Sequence, residues 1–208
     1  MIADVNLTLI LLAALVATAS PGPATLAIAG TSMASGRRHG LALAAGVTTG
    51  SLAWSIAAAA GLSAVMLANG WAFEVMRYAG ACYLLFLAFK SARSALRREV
   101  PAATRIVAPS LRAAYRRGLL LHLTNPKAIL FFGSLYAVGV PADASPATLA
   151  LVITAVGLQS LLLFHGYALL FSSPRLARSY ARLRRWFEGV FAVAFAAAGL
   201  KILTARLG

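Results

Sequence analysis

The sequence Ser-Pro-Gly-Pro at residues 20–23 lies in the middle of an apolar run that extends from residue 5 to residue 35. A proline inside a helix costs roughly 3 kcal/mol, because it removes a backbone hydrogen bond and clashes with the preceding turn. Two prolines around a glycine therefore predict a helix that opens at this point. In a bilayer, open backbone is tolerated only where it is buried in protein or lines a wet cavity. The motif thus predicts a functional break, and a simple kink is the alternative.

The rest of the chain is apolar enough to place it in a membrane. Of the 208 residues, 61% are hydrophobic and 12% are charged, and the mean hydropathy is +0.82. Several apolar runs reach the roughly 20 residues that a helix needs to cross the hydrocarbon core. We therefore predict one integral membrane domain over residues 1–208. Its six spans are expected at about 5–35, 41–68, 73–89, 118–140, 147–171 and 186–203.

Basic residues are concentrated between alternate spans. The loops 36–40, 90–117 and 172–185 hold fifteen of the nineteen Lys and Arg residues. The positive-inside rule places these loops in the cytoplasm, so that both termini of a six-span chain face the opposite side. Because most of the basic residues lie in these loops, the net charge of +14 indicates topology, and no nucleic-acid partner is expected.

Six spans divide into two sets of three, and the second set is then inverted relative to the first. Helix breakers fall in the first span of each set, at residues 20–23 and at Pro126. Paired interruptions of this kind point to a transporter site near the bilayer midplane. We predict an all-α fold of two inverted three-helix repeats whose first and fourth helices are broken at proline motifs. The repeats are expected at about 1–90 and 118–208, joined by a basic cytoplasmic loop at about 91–117.

Two groups of residues at the breaks are candidates for substrate binding. The first group is Pro21, Gly22, Pro23 and Ala24. The half-helix that begins at Ala24 exposes N–H groups at its positive dipole end, which favours an anion such as a carboxylate. The second group is Asn125, Pro126 and Lys127, in which Asn125 caps the following half-helix. Lys127 lies ~14 Å into the fourth span.

A lysine at that depth is costly and normally faces a bundle interior or a wet cavity. Lys127 is expected to bind a substrate carboxylate or to carry a proton, and a lysine that snorkels to the surface is the alternative.

Other polar residues in the spans have both a functional and a structural interpretation. Gln159 can hydrogen-bond a substrate or hold two helices together. His165 and Glu188 are, with Lys127, the candidates for proton coupling, while a packing histidine and an interfacial ion pair with Arg184 are their structural alternatives. His122 is expected at the membrane interface.

The chain has no sequence pattern typical of an enzyme. It contains no His, Cys and acid cluster with metal-ligand spacing and no phosphate-binding glycine loop. Its single cysteine, Cys82, excludes an intramolecular disulfide or a paired-cysteine redox carrier. No metal or cofactor is expected.

Several motifs resemble the LysE/RhtB family of amino-acid exporters. They are the Ser-Pro-Gly-Pro motif, Gly36-x-x-x-Gly40, Gly46-x-x-x-Gly50, the segment 79–84, the segment 123–128 and Trp186-x-Glu188-Gly189. The resemblance covers nearly the whole chain in order. It implies efflux of amino acids or related metabolites across the bacterial inner membrane, in exchange for protons.

The resemblance carries family roles to six residues, namely Pro21, Gly22, Pro23, Asn125, Pro126 and Lys127. Many family members have a polar or acidic residue where this chain has Ala24, and an acid in the fifth span near Gln159 and Ser160. The amino acid exported is therefore not defined by the resemblance. The alternatives are an exporter of another small metabolite or ion, and a non-transporting membrane scaffold. A homo-oligomer is compatible with the sequence but is not defined by it.

Overall fold

The computed structural model describes residues 5–68, 70–96, 107–141 and 144–204, and these residues form eight α-helices and no strand. The all-α prediction is confirmed. The helices are α1 (Leu7–Ala19), α2 (Pro23–Ser35), α3 (Arg37–Ala68), α4 (Gly70–Leu96), α5 (Leu111–Leu123), α6 (Pro126–Gly139), α7 (Pro146–Phe171) and α8 (Pro174–Thr204).

The Ser-Pro-Gly-Pro motif separates α1 from α2, which meet at an angle of 52°. Ser20 ends α1 in an extended conformation, and its N–H group donates to Val16 O at 3.0 Å. Gly22 is also extended, and Pro23 occupies the first turn of α2. Proline suits that position because its missing N–H would have no helical partner there. The predicted break is confirmed, and the second half-helix begins at Pro23, one residue before the predicted Ala24.

A second break separates α5 from α6. Thr124 ends α5, and Asn125 is the N-cap of α6, with Oδ1 accepting a hydrogen bond from the N–H group of Lys127 at 3.0 Å. Pro126 again occupies the first helical turn. The two interruptions thus share one construction, in which a helix ends, an extended residue follows and a proline starts the next helix.

In the described part of the chain, two helices are long and apolar enough to cross a membrane by themselves. They are α7 and the part of α3 at Arg37–Gly61, and the bent pair of α1 and α2 passes the same test when the two helices are taken together. The remaining described helices do not pass this test: α6 is apolar but has only 14 residues, and basic residues lie along α5 and at the start of α8. The six-span arrangement stays a prediction.

Helices extend into the segments that were predicted as basic loops. The structure begins α3 at Arg37, continues α4 to Leu96 and begins α8 at Pro174. The loop boundaries at 36–40, 90–117 and 172–185 are therefore wrong at these ends. They were drawn where charge replaces apolar residues, but Arg, Ala and Leu are good helix formers whether or not lipid surrounds them. Residues 97–106 of the longest basic segment lie outside the described part.

The helices pack into one bundle with two buried apolar clusters. In this bundle α3 packs mainly against α5 and α7, and α4 packs mainly against α8 and α6. One cluster includes Ile10, Phe131 and Phe132, and the other includes Ile28 and Phe164. Both helix breaks lie between the two clusters, where the backbone opens next to a cavity.

Candidate functional site

A cavity lies where the two helix breaks meet. Its volume is about 430 Å³, including the space at its open mouth. Apolar side chains from both clusters form part of the wall, among them Phe131, Phe132 and Phe164. The polar lining is Thr18, Ser20, Thr25, Ser51, His122, Asn125 and Lys127. This combination of apolar walls and a few polar groups is typical of small-molecule sites.

Lys127 extends from the first turn of α6 across the cavity to the end of α1. Its Nζ donates to Ser20 O at 3.0 Å and also to Ser20 Oγ. Ser20 Oγ in turn donates to Ala17 O at 3.2 Å. The ammonium group therefore lies at the negative end of the α1 dipole, where a cation is favoured. The lysine joins two breaks that are more than a hundred residues apart in sequence.

The start of α2 presents uncapped backbone to the same cavity. Its N-cap is Gly22, which makes no side-chain cap hydrogen bond, and Ala24 and Thr25 are buried and line the cavity. A Cβ on Gly22 would lie 3.4 Å from Lys127 Cδ and 3.5 Å from its Nζ. The ammonium group and the positive end of the α2 dipole are thus neighbours. Together they favour an anionic ligand.

Two tyrosines hold the broken backbone in place. Tyr83 Oη on α4 donates to Lys127 O at 3.3 Å. Tyr167 Oη on α7 donates to Ala19 O at 2.8 Å, at the end of α1. Ala19 O belongs to the last turn of α1, where helical carbonyls lack a partner within the helix, so Tyr167 satisfies open backbone at the first break. Tyr83 ties the first turn of α6 to α4.

His122 is buried in this cavity, so the prediction that it lies at the membrane interface is wrong. It occupies the last turn of α5 with 5% of its surface exposed. Its ring meets the ring of Phe164 edge-on with 5.8 Å between centroids. Neither ring nitrogen has a hydrogen-bond partner among the described residues. The sequence argument failed because it placed the start of the span at Gly118, whereas the helix begins at Leu111 and the chain breaks directly after His122.

Six candidate residues do not line the cavity. Three are the prolines of the two breaks, and the others are Gln159, His165 and Glu188. Gln159 Nε2 donates to Leu11 O at 2.9 Å and connects α7 to α1. His165 Nδ1 lies 2.9 Å from Leu161 O, one turn away on its own helix. Ser160, the neighbour of Gln159 in sequence, faces inwards and accepts a hydrogen bond from Ser51 Oγ at 3.1 Å.

Glu188 lies apart from the cavity, in a buried polar group between α8 and α4. Only 3% of its surface is exposed, and Oε1 accepts a hydrogen bond from Ser94 Oγ at 2.9 Å. Arg184 is buried to the same extent, and its Nη1 lies 3.3 Å from the same Ser94 oxygen. The serine thus links the carboxylate and the guanidinium group.

The described residues contain no group of three or more His, Cys, Asp or Glu side chains placed to hold a metal ion. Ser20, Thr25 and Ser51 were not among the sequence candidates, although all three line the cavity. Ser20 had a signal, since it is the first residue of the proline motif. The position of Ser51 opposite Ser160 depends on how α3 and α7 pack, which no local pattern gives.

A protein-family model and several known proteins match this chain over most of its length. The LysE type translocator model matches residues 15–206. A threonine efflux protein of Salmonella typhi is 29% identical over 197 residues, which cover 92% of this chain and 94% of that protein. A leucine efflux protein of Enterobacter sp. (strain 638) is 32% identical over 183 residues, covering 85% of this chain and 86% of that protein.

An uncharacterised membrane protein of Pseudomonas aeruginosa is 32% identical over 193 residues, covering 90% of this chain and 89% of that protein. No solved structure gives a significant match to the chain.

Proposed function

The chain belongs to the LysE type translocator family, and on that premise we propose that it exports amino acids across the bacterial inner membrane as a secondary transporter. Membership of a family of translocators makes the protein a transporter and not an enzyme. The similar proteins include efflux proteins for threonine and for leucine. An amino acid is therefore the substrate class that we propose here.

The observation that carries the proposal is the position of Lys127 in a cavity between two broken helices. Its ammonium group lies beside the uncapped start of α2, and both attract a carboxylate. Interrupted helices that direct their N-termini at an anionic substrate group are typical of secondary transporters. Every amino acid has an α-carboxylate, so this part of the site is suited to the group that all such substrates share.

We propose six spans in two inverted repeats. The first repeat comprises α1 with α2, then α3, then α4, and the second comprises α5 with α6, then α7, then α8. The packing supports this assignment, because the equivalent helices α3 and α7 contact each other, as do α4 and α8. The crossed pairs α1 with α6 and α2 with α5 are also in contact, as a two-fold axis between the breaks would require. The basic segments are then cytoplasmic and both termini lie outside.

In the proposed cycle, the two repeats rock around the cavity and expose it to each side in turn. Ser20 belongs to the first repeat and Lys127 to the second, so their contact is one that the motion has to change. Export against a gradient requires an energy source, for which we propose proton exchange. Lys127, His165 and Glu188 are the candidate proton carriers. Lys127 lines the cavity, whereas Glu188 is buried outside it beside Ser94 and Arg184.

The test is uptake of the twenty amino acids into inside-out vesicles, with and without an imposed proton gradient. We expect Lys127→Met to lower transport of the best substrate about 10- to 100-fold, because a hydrogen bond to a charged group contributes about 1.5–3 kcal/mol. Arg112→Met is the control, since Arg112 is an exposed basic residue in the first turn of α5, outside the cavity. It should transport normally at equal protein levels in the membrane.

Full transport by Lys127→Met would refute the role of the lysine. Failure of the wild-type protein to transport any amino acid would instead favour another small metabolite or ion, and then a scaffold.

A further inference from the structure

The imidazole of His122 is a buried polar group with unused hydrogen-bonding capacity. Both ring nitrogens are buried and have no partner among the described residues, although the ring lines the cavity. Burial of a polar group without a partner costs about 1–3 kcal/mol. Packing alone does not account for a histidine here, because leucine or phenylalanine would fill the same space without that cost. The ring is therefore suited to meet a ligand that enters the cavity.

An amino acid brings a group for which this cavity has few acceptors. Its carboxylate has Lys127 and the start of α2, but its α-ammonium group needs hydrogen-bond acceptors. No Asp or Glu occurs among the described residues that line the cavity. Two of the available oxygens are already in use, since Ser20 O accepts from Lys127 Nζ and Asn125 Oδ1 accepts from the Lys127 N–H group. The remaining side-chain acceptors are the hydroxyl oxygens of Thr18, Thr25 and Ser51 and the unprotonated nitrogen of a neutral His122 imidazole, and the imidazole nitrogen is the most basic of them.

We propose that His122 accepts a hydrogen bond from the α-ammonium group of the transported amino acid, and so replaces the acidic residue that the cavity lacks. The inference rests on the proposed function. It assigns to His122 the recognition of the α-ammonium group, by which amino acids differ from simple carboxylic acids. Lys127 and His122 lie on the two sides of the α5–α6 break. The substrate then lies with its carboxylate at Lys127 Nζ and the start of α2, and with its amino group at His122 near the end of α5.

The ring is held in a fixed position, as a recognition group has to be. Phe164 packs against it edge-on, and Trp54 Nε1 donates to the backbone oxygen of His122 at 3.3 Å. On the third side is Gly50, where an added Cβ would lie 2.9 Å from His122 Cβ. Glycine therefore makes room for the histidine. A ring that is positioned before the ligand arrives loses little conformational freedom on binding.

The experiment compares amino acids with the same molecules lacking the amino group. Competition in inside-out vesicles would give the affinity for leucine and 4-methylpentanoate, and for threonine and 3-hydroxybutanoate. We expect wild-type protein to prefer each amino acid over its partner. In His122→Leu this preference should fall about 10- to 100-fold, as expected for loss of a hydrogen bond to a charged group, while affinity for the carboxylic acids stays within about twofold.

His122→Asn should keep part of the preference, because its amide oxygen still accepts. His39→Leu is the matched control, since His39 lies at the start of α3 and bonds Ser35 O, and it should behave as wild type.

Three results would overturn the inference. The first is an unchanged preference in His122→Leu. The second is an equal loss of affinity for the amino acids and the carboxylic acids, which would indicate a packing role. The third needs no variant: equal binding of leucine and 4-methylpentanoate by wild-type protein. If wild-type protein binds none of the twenty amino acids, the proposed function fails together with this inference, whereas the three results above leave the proposed function intact.

Discussion

Replacement of Gly46 by alanine should destabilise the packing of α3 against α5. A Cβ at this position would overlap the backbone oxygen of Tyr115, and it would lie 2.9 Å from the carbonyl carbon of Tyr115 and 2.8 Å from Leu119 N. These are backbone atoms within a helix, so they cannot turn aside as the end of a side chain can. Close approach at glycine is how helices in membranes gain packing contacts. The two helices would have to separate or bend.

The expected loss of stability follows from two opposing effects. Overpacking of a tight contact costs about 1–3 kcal/mol, and occasionally more. The higher helix propensity of alanine offsets at most about 1 kcal/mol of this. The same contact contains a second glycine, Gly118, whose added Cβ would lie 3.0 Å from the carbonyl carbon of Leu43. Because neither side has room to yield, we expect the net effect of Gly46→Ala to lie in the upper part of that range.

Thermal unfolding of the purified protein in detergent would measure this effect. A loss of about 2–3 kcal/mol, the upper part of that range, corresponds to a decrease in Tm of about 4–12 °C for a chain of this size. Gly166→Ala on α7 is the matched control, because an added Cβ there meets nothing within 4 Å in the described part of the chain. It should unfold at the wild-type temperature or slightly above. Equal Tm values for wild type, Gly46→Ala and Gly166→Ala would refute the packing argument.

Two further predictions concern the site. Asn125→Ala removes the N-cap of α6 and should lower the free energy of unfolding by about 0.5–2 kcal/mol. Asn125→Asp keeps the cap but places a carboxylate beside Lys127, so this variant should be as stable as wild type in thermal unfolding and inactive in vesicle uptake. An active Asn125→Asp variant would contradict the carboxylate site. Lysine should not inhibit uptake of the best substrate even in large excess, because the cavity lining described here contains no acid to pair with a second ammonium group; inhibition by lysine would contradict this electrostatic argument.

The helix breaks could be predicted from the sequence because proline and glycine act locally. Pro21 and Pro126 lack the N–H group that a continuing helix needs, and their effect does not depend on the rest of the fold. The sequence also indicated that Lys127 faces the protein interior, because a lysine at that depth is costly in lipid. Its contact with Ser20 is a property of the folded chain, since the two residues meet only after α1 and α6 have packed.

The sequence could not decide which face of a helix points into the cavity. Gln159 and Ser160 are equally polar neighbours, and one residue corresponds to about 100° of rotation on a helix. The structure turns the serine inwards and uses the glutamine to hold α1. His122 had a usable signal, because it lies three residues before Asn125 and therefore one turn before the break. A search for polar residues within one turn of each break would have found both His122 and Ser20.

The contact between Lys127 and Ser20 also explains how substrate binding and movement can be coupled in the proposed cycle. The contact consists of two hydrogen bonds from a charged donor, each worth about 1.5–3 kcal/mol. An empty carrier that separates its repeats must break both of them and leave the ammonium group without a partner.

A substrate carboxylate supplies that partner and lowers the cost of separation, so the loaded carrier moves more readily than the empty one. A ligand can shift such an equilibrium only by as much as it binds the two states differently. In the proposed cycle this difference arises at Lys127, because the substrate and Ser20 compete for the same ammonium group.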